Sequence, residues 1–79
     1  MKLILPGDCE RVPELGDLVI VQGVTSAELR TALVAAEPEP DSPGRHRLDL
    51  FVLAIPPTIA HRIPPATELD GHGWFWRAS

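Results

Sequence analysis

Cys9, His46, His61 and His72 are the side chains of this 79-residue sequence best equipped for metal binding or nucleophilic attack. A zinc site needs thiolate, imidazole or carboxylate groups that converge, and chains that build one usually carry ligand pairs such as C-x-x-C or H-x-x-x-H. None of the four has a partner at such a spacing. No metal is therefore expected, and no cofactor is implied. Nucleophilic catalysis would require Cys9 or a serine beside a histidine that a carboxylate orients. Cys9 is flanked by Asp8 and Glu10, a setting that does not activate a thiol.

Two further patterns are incomplete. Gly71-His72-Gly73 resembles part of a phosphate-cradling loop but lacks the third glycine, the following helix and the basic residue, so a tight turn explains it. Glu37 with Glu39, and Glu68 with Asp70, could exchange protons with a substrate only inside a desolvating pocket. Both pairs stand among prolines or turn residues and read as solvated. A chain this short has little room to enclose a ligand pocket of roughly 300–1,000 Å³. The reading is therefore non-enzymatic, with no catalytic, cofactor-binding or metal residue assigned; a small metal-dependent or cysteine hydrolase is the second alternative.

The elements that position these residues are constrained by size. Domains usually run to roughly 100–150 residues, so residues 1–79 are read as a single domain with a modest core. Nine prolines and six glycines require short elements and irregular connections. The net charge of −4 opposes direct nucleic-acid binding, which draws on clustered Lys and Arg. Arg45, His46 and Arg47 follow the acidic Glu37, Glu39 and Asp41 and are partly offset by them. A lone cysteine precludes an intramolecular disulfide and fits a reducing, cytoplasmic setting. Lys2 is followed by only Leu3, Ile4 and Leu5 before Pro6, too short for an export signal. The apolar run Leu50 to Ile55 is far below the ~20 residues of a membrane span.

Lys2 to Leu5 reads as a first strand ended by the Pro6-Gly7 turn, and Asp8 to Asp17 as a surface loop. Leu18, Val19, Ile20 and Val21 form a consecutive apolar, mostly β-branched run, a strand with apolar groups on both faces. Thr25 and Glu28 have capping-box spacing, and Leu29, Ala32, Leu33 and Ala36 fall on one helical face, so a helix is predicted from Ser26 to about Ala36. Pro38 and Pro40 stop it, and Glu37 to Arg45 reads as an exposed linker.

Arg47 to Ile55 is the strongest strand, with Leu48, Leu50, Val52 and Ala54 on one face and Asp49, Phe51, Leu53 and Ile55 on the other. Pro56-Pro57 ends it, its Ile–Pro bond is read as trans, and residues 59–65 cannot be a central strand. Ala66 to Leu69 and Trp74 to Ala78, joined through Asp70-Gly71, read as a closing hairpin with Trp74 and Trp76 on one face and Phe75 on the other. The expected fold is α+β: a small, mostly antiparallel sheet of about four strands, one helix on one face and a C-terminal β-hairpin.

One helix cannot cover both faces of strands that are apolar on both sides. Either the proline-rich segment and the Trp hairpin close a small sandwich or open barrel, or a partner covers the second face. No family motif is present. The expected function is that of a protein-binding module, a small inhibitor or accessory subunit of the kind phages encode, acting by occupying a partner's surface. Trp74, Trp76 and Arg77 are the candidate anchors, and Asp8, Glu10, Glu14 and Asp17 would face a basic partner. The runner-up is an assembly subunit, of viral-particle type, that pairs with copies of itself.

Overall fold

The computed structural model describes residues 2–23, 28–42 and 45–78. Among these residues seven strands make one antiparallel sheet: β1 (Lys2–Ile4), β2 (Leu18–Gln22), β3 (Leu29–Val34), β4 (Glu39–Ser42), β5 (Arg45–Val52), β6 (Thr58–Ile63) and β7 (Gly73–Ala78). The order along the sheet is β1-β7-β2-β3-β5, with β4 and β6 also on β5. A 3-10 turn, Pro6–Asp8, follows β1. No helix among the described residues is long and apolar enough to cross a membrane.

The α+β expectation is overturned. Residues Leu29–Val34, read as the body of a helix, are a strand, paired with β2 from Leu29↔Gln22 to Leu33↔Leu18 and with β5 from Ala32↔Val52 to Val34↔Leu50. Thr25 and Ser26 of the expected helix start lie outside the described residues. The apolar spacing fits a helix, but Ala32 and Val34 are buried while Leu33 between them is only half-buried, which is the period of a strand. Partners on two sides outweigh a local preference of a few tenths of a kcal/mol per residue (~0–0.7).

The expected linker is corrected as well. Glu39–Ser42 pairs with β5 from Glu39↔Arg47 to Ser42↔Arg45, so β3 and β4 follow one another along the same side of β5. Pro40 is tolerated because β4 is bonded to β5 alone, and an edge strand does not need every N–H. The C-terminal hairpin is also absent. Ala66 to Leu69 forms no strand with β7; β7 pairs instead with β2 (Ile20↔Phe75 to Gln22↔Gly73) and β1 (Ile4↔Trp76 to Lys2↔Ala78). The Ile55–Pro56 bond is cis.

The sheet closes on itself. Directly after β6, Ala66 N donates to Trp74 O at 3.0 Å and Trp74 N to Pro64 O at 3.1 Å, a parallel bridge of Pro65 with Trp74. The end of β6 thus returns to β7, and β7, β2, β3, β5 and β6 enclose one core as a small barrel. Its interior is the inward face of each strand: Val19 and Val21, Ala32 and Val34, Leu48, Leu50 and Val52, Ala60, and Trp74 with Trp76. Gly73 permits the closure. Its φ is +127°, and a Cβ there would lie 2.6 Å from Pro64 O and 2.9 Å from Ala66 N.

The loop before β2 folds onto this core. Cys9 packs against the interior cluster and Pro13 is buried. A turn holds the loop's end: Asp17 N donates to Glu14 O at 3.0 Å, Glu14 N to Asp17 Oδ2 at 2.9 Å and Gly16 N to Val34 O at 2.9 Å. Gly16 takes the positive φ, +89°, that this turn needs. On the outside, Ile20, Phe75 and Ala66 form a second cluster with Leu3 and Leu5. That cover reaches only the β1–β7–β2 side of the barrel.

Candidate interaction surface

The reactive side chains stay apart. Cys9 is a half-buried free thiol, His46 is half-buried, and His61 and His72 are exposed. Among the described residues, no group of three or more His, Cys, Asp or Glu side chains is placed to hold a metal ion. His61 Nδ1 lies 3.7 Å from Asp49 Oδ1, part of a network at the β5–β6 bulge. There Arg62 N donates to Asp49 Oδ1 at 2.8 Å, Arg62 Nη2 to Glu39 Oε1 at 3.3 Å and Arg47 Nη1 to Arg62 O at 3.4 Å. Charges matched in this way at the surface hold local geometry and contribute little to stability.

Trp74 and Trp76 share a face, and that face is the interior. They are 1% and 3% exposed, packed edge to face with ring centroids 5.4 Å apart. The Trp74 indole N–H donates to His46 O at 2.9 Å, tying β7 to the start of β5 across the core. The Trp76 Nε1 is buried with no hydrogen-bond partner among the described residues. Neither indole offers surface to a partner, so the expected aromatic anchor is a core element. Arg77 is exposed and lines a shallow outer groove of about 300 Å³ with Leu18, Ile20 and Thr31. Asp8, Glu10 and Glu14 are exposed. Asp17 is occupied within the loop, holding Arg11 Nη2 at 3.0 Å as well as the Glu14 N–H.

The strand registers reveal a surface that sequence reasoning missed. Leu18 pairs with Leu33, Leu33 with Phe51, and Phe51 with Ile59. These four residues are direct cross-strand neighbours on the outer face of β2, β3, β5 and β6. Leu33 and Phe51 are half-buried by their neighbours, while Leu18 and Ile59 at the ends are 57% and 58% exposed. Leu53, just past the end of β5, is also exposed. At the strand spacing of about 4.8 Å the row runs across roughly 15 Å of surface. The two-sided apolar runs at Leu18 to Val21 and Leu48 to Ile55 were its only signal in sequence, and register was needed to join them.

The chain has no counterpart among the known proteins it was compared with: no family model, curated protein or solved structure matches it.

Proposed function

We propose that this protein is a non-enzymatic binding module, a small inhibitor or accessory subunit that docks onto another protein through the outer face of its barrel. The observation that carries this reading is the in-register row Leu18–Leu33–Phe51–Ile59, left open where Leu3, Leu5 and Ala66 cover only the neighbouring side. Contiguous apolar surface on a small protein commonly marks an interface. The row lies on the outside of a closed sheet and is therefore convex, so its fitting counterpart is a concave apolar groove. A second copy would present the same convexity and the same net charge of −4, and both oppose self-pairing.

The exposed carboxylates of Asp8, Glu10 and Glu14 favour a partner with a basic surface, speeding encounter more than tightening the complex. The same net negative charge accompanies a reading without direct nucleic-acid contact, and a lone Cys9 accompanies a cytoplasmic location.

The test pairs light scattering with a binding titration. A monomer is expected for the purified chain. A partner identified by crosslinking and then purified should bind Leu18→Ser/Ile59→Ser at least about tenfold more weakly than the parent, because each substitution removes most of an apolar side chain from the contact. Both positions are exposed, so the melting temperature should hold. A partner indifferent to the double substitution overturns the reading. A homo-oligomer that the substitution dissolves replaces it with the assembly-subunit alternative.

A further inference from the structure

A second feature, away from the apolar row, combines shape and charge. Residues 12–15, together with Glu37, Pro38, Pro40 and His46, line a cleft of about 420 Å³. Its walls are aliphatic, built by Val12, Leu15, Pro13, Pro38 and Pro40, and two carboxylates, Glu14 and Glu37, stand among them. The geometry is held rather than incidental. Pro13 is buried, the turn bonds between Glu14 and Asp17 fix the loop, and pairing of Pro40 with His46 fixes those two residues. This framework turns Val12 and Leu15 outward, 56% and 68% exposed.

The charges in the cleft are not consumed by the protein itself. Glu39 is taken by Arg62 and Asp17 by Arg11. Among the described residues, no hydrogen bond or ion pair engages the side chain of Glu14 or Glu37. Arg11, the sequence neighbour of Val12, is engaged elsewhere, with its guanidinium over Trp76 and on Asp17. The cleft thus joins apolar walls to uncompensated negative charge. Its complement is a side chain with an apolar stem and a cationic head, and arginine fits better than lysine because its planar fork can bind carboxylates in pairs.

We propose that this cleft receives an arginine presented by an extended segment of another protein. The site is separate from the outer row and does not depend on it.

The test is an ¹⁵N-resolved NMR titration of the full chain with a hexa-arginine peptide at low ionic strength, with hexa-lysine in parallel. Saturable shifts are expected at Val12, Glu14, Leu15, Glu37 and His46, with hexa-lysine binding several-fold more weakly. Glu14→Gln/Glu37→Gln should weaken hexa-arginine by about tenfold. Leu15→Ser leaves every charge in place and should still weaken it by about threefold, through lost contact with the stem. All three substituted side chains are exposed, and retained signal dispersion reports that the fold survives. Three results would each overturn the proposal. One is shifts spread equally over Asp8, Glu10, Glu68 and Asp70; another is equal affinity for the two peptides; the third is binding unaffected by Leu15→Ser, which is the mark of diffuse charge attraction.

Discussion

The guanidinium of Arg11 lies over the indole of Trp76, its Cζ 4.4 Å from the ring centroid. The same guanidinium bonds Asp17 Oδ1 at 3.0 Å, so one side chain pins the loop before β2 at two points. Arg11→Ala should loosen this cover and lower stability by about 0.5–1 kcal/mol, the size expected of a cation–π contact at an exposed site. Acrylamide quenching of tryptophan fluorescence should rise in parallel. Unchanged quenching would mean that Pro13 and Cys9 hold the loop without Arg11.

The two indoles differ in their hydrogen bonding, and conservative substitution should expose the difference. Trp74→Phe leaves the His46 carbonyl without its donor and should cost about 1–3 kcal/mol beyond the lost ring volume. Trp76→Phe removes an N–H that has no acceptor among the described residues and should be the milder change. Urea denaturation of the two variants measures this directly. Truncation of either residue to alanine should cost ~3–5 kcal/mol, a large share of the roughly 5–15 kcal/mol that holds a typical domain folded.

Closure of the barrel depends on the absence of a side chain at residue 73. In Gly73→Ala the added methyl would meet Pro64 O and Ala66 N at 2.6 and 2.9 Å, at a φ of +127°. At least about 2 kcal/mol of destabilisation is expected, from backbone strain and the broken Pro65–Trp74 bridge together. Hydrogen exchange should show the Ala66 and Trp74 amides losing protection first. A thermal midpoint equal to the parent's would mean that the bridge adds nothing to the fold.

Arg62 is the one non-glycine residue with positive φ among those described, at +53°, and its amide donates to Asp49 Oδ1. Asp49→Ala should cost about 0.5–1.5 kcal/mol by removing that hydrogen bond. Arg62→Gly keeps the bond and relieves a conformation that costs a side-chain-bearing residue about 1–2 kcal/mol. It should therefore be neutral or stabilising, despite loss of the contact to Glu39. Melting temperatures that fall in both variants would show that the arginine side chain, not the backbone, holds the bulge.

Strand identity was legible wherever β-branched residues crowd together. Leu18 to Val21 and the two faces of residues 48–52 could be assigned by alternation, as could the shared face of Trp74 and Trp76, whereas Leu53 to Ile55, expected to continue the strand, lie beyond its end at Val52. What alternation cannot supply is a partner. Leu29, Ala32 and Leu33 satisfy helical and extended spacing alike, and only contact with β2 on one side and β5 on the other decides between them. Pro40 reads as a breaker until it is known that its strand has a single neighbour. The candidate site was hidden for a related reason. Leu18, Leu33, Phe51 and Ile59 are scattered through the sequence and meet only once four strands are set in register, whereas the tryptophans, conspicuous by type, fill the interior.

The last strand, β7, touches β1, β2 and the residues that follow β6, and it carries both indoles. A nascent chain leaving the ribosome therefore holds six strands that cannot yet enclose anything. Folding must wait until residues 73–78 emerge and then proceed in one step, and until that moment the greasy inner faces are available to chaperones and proteases.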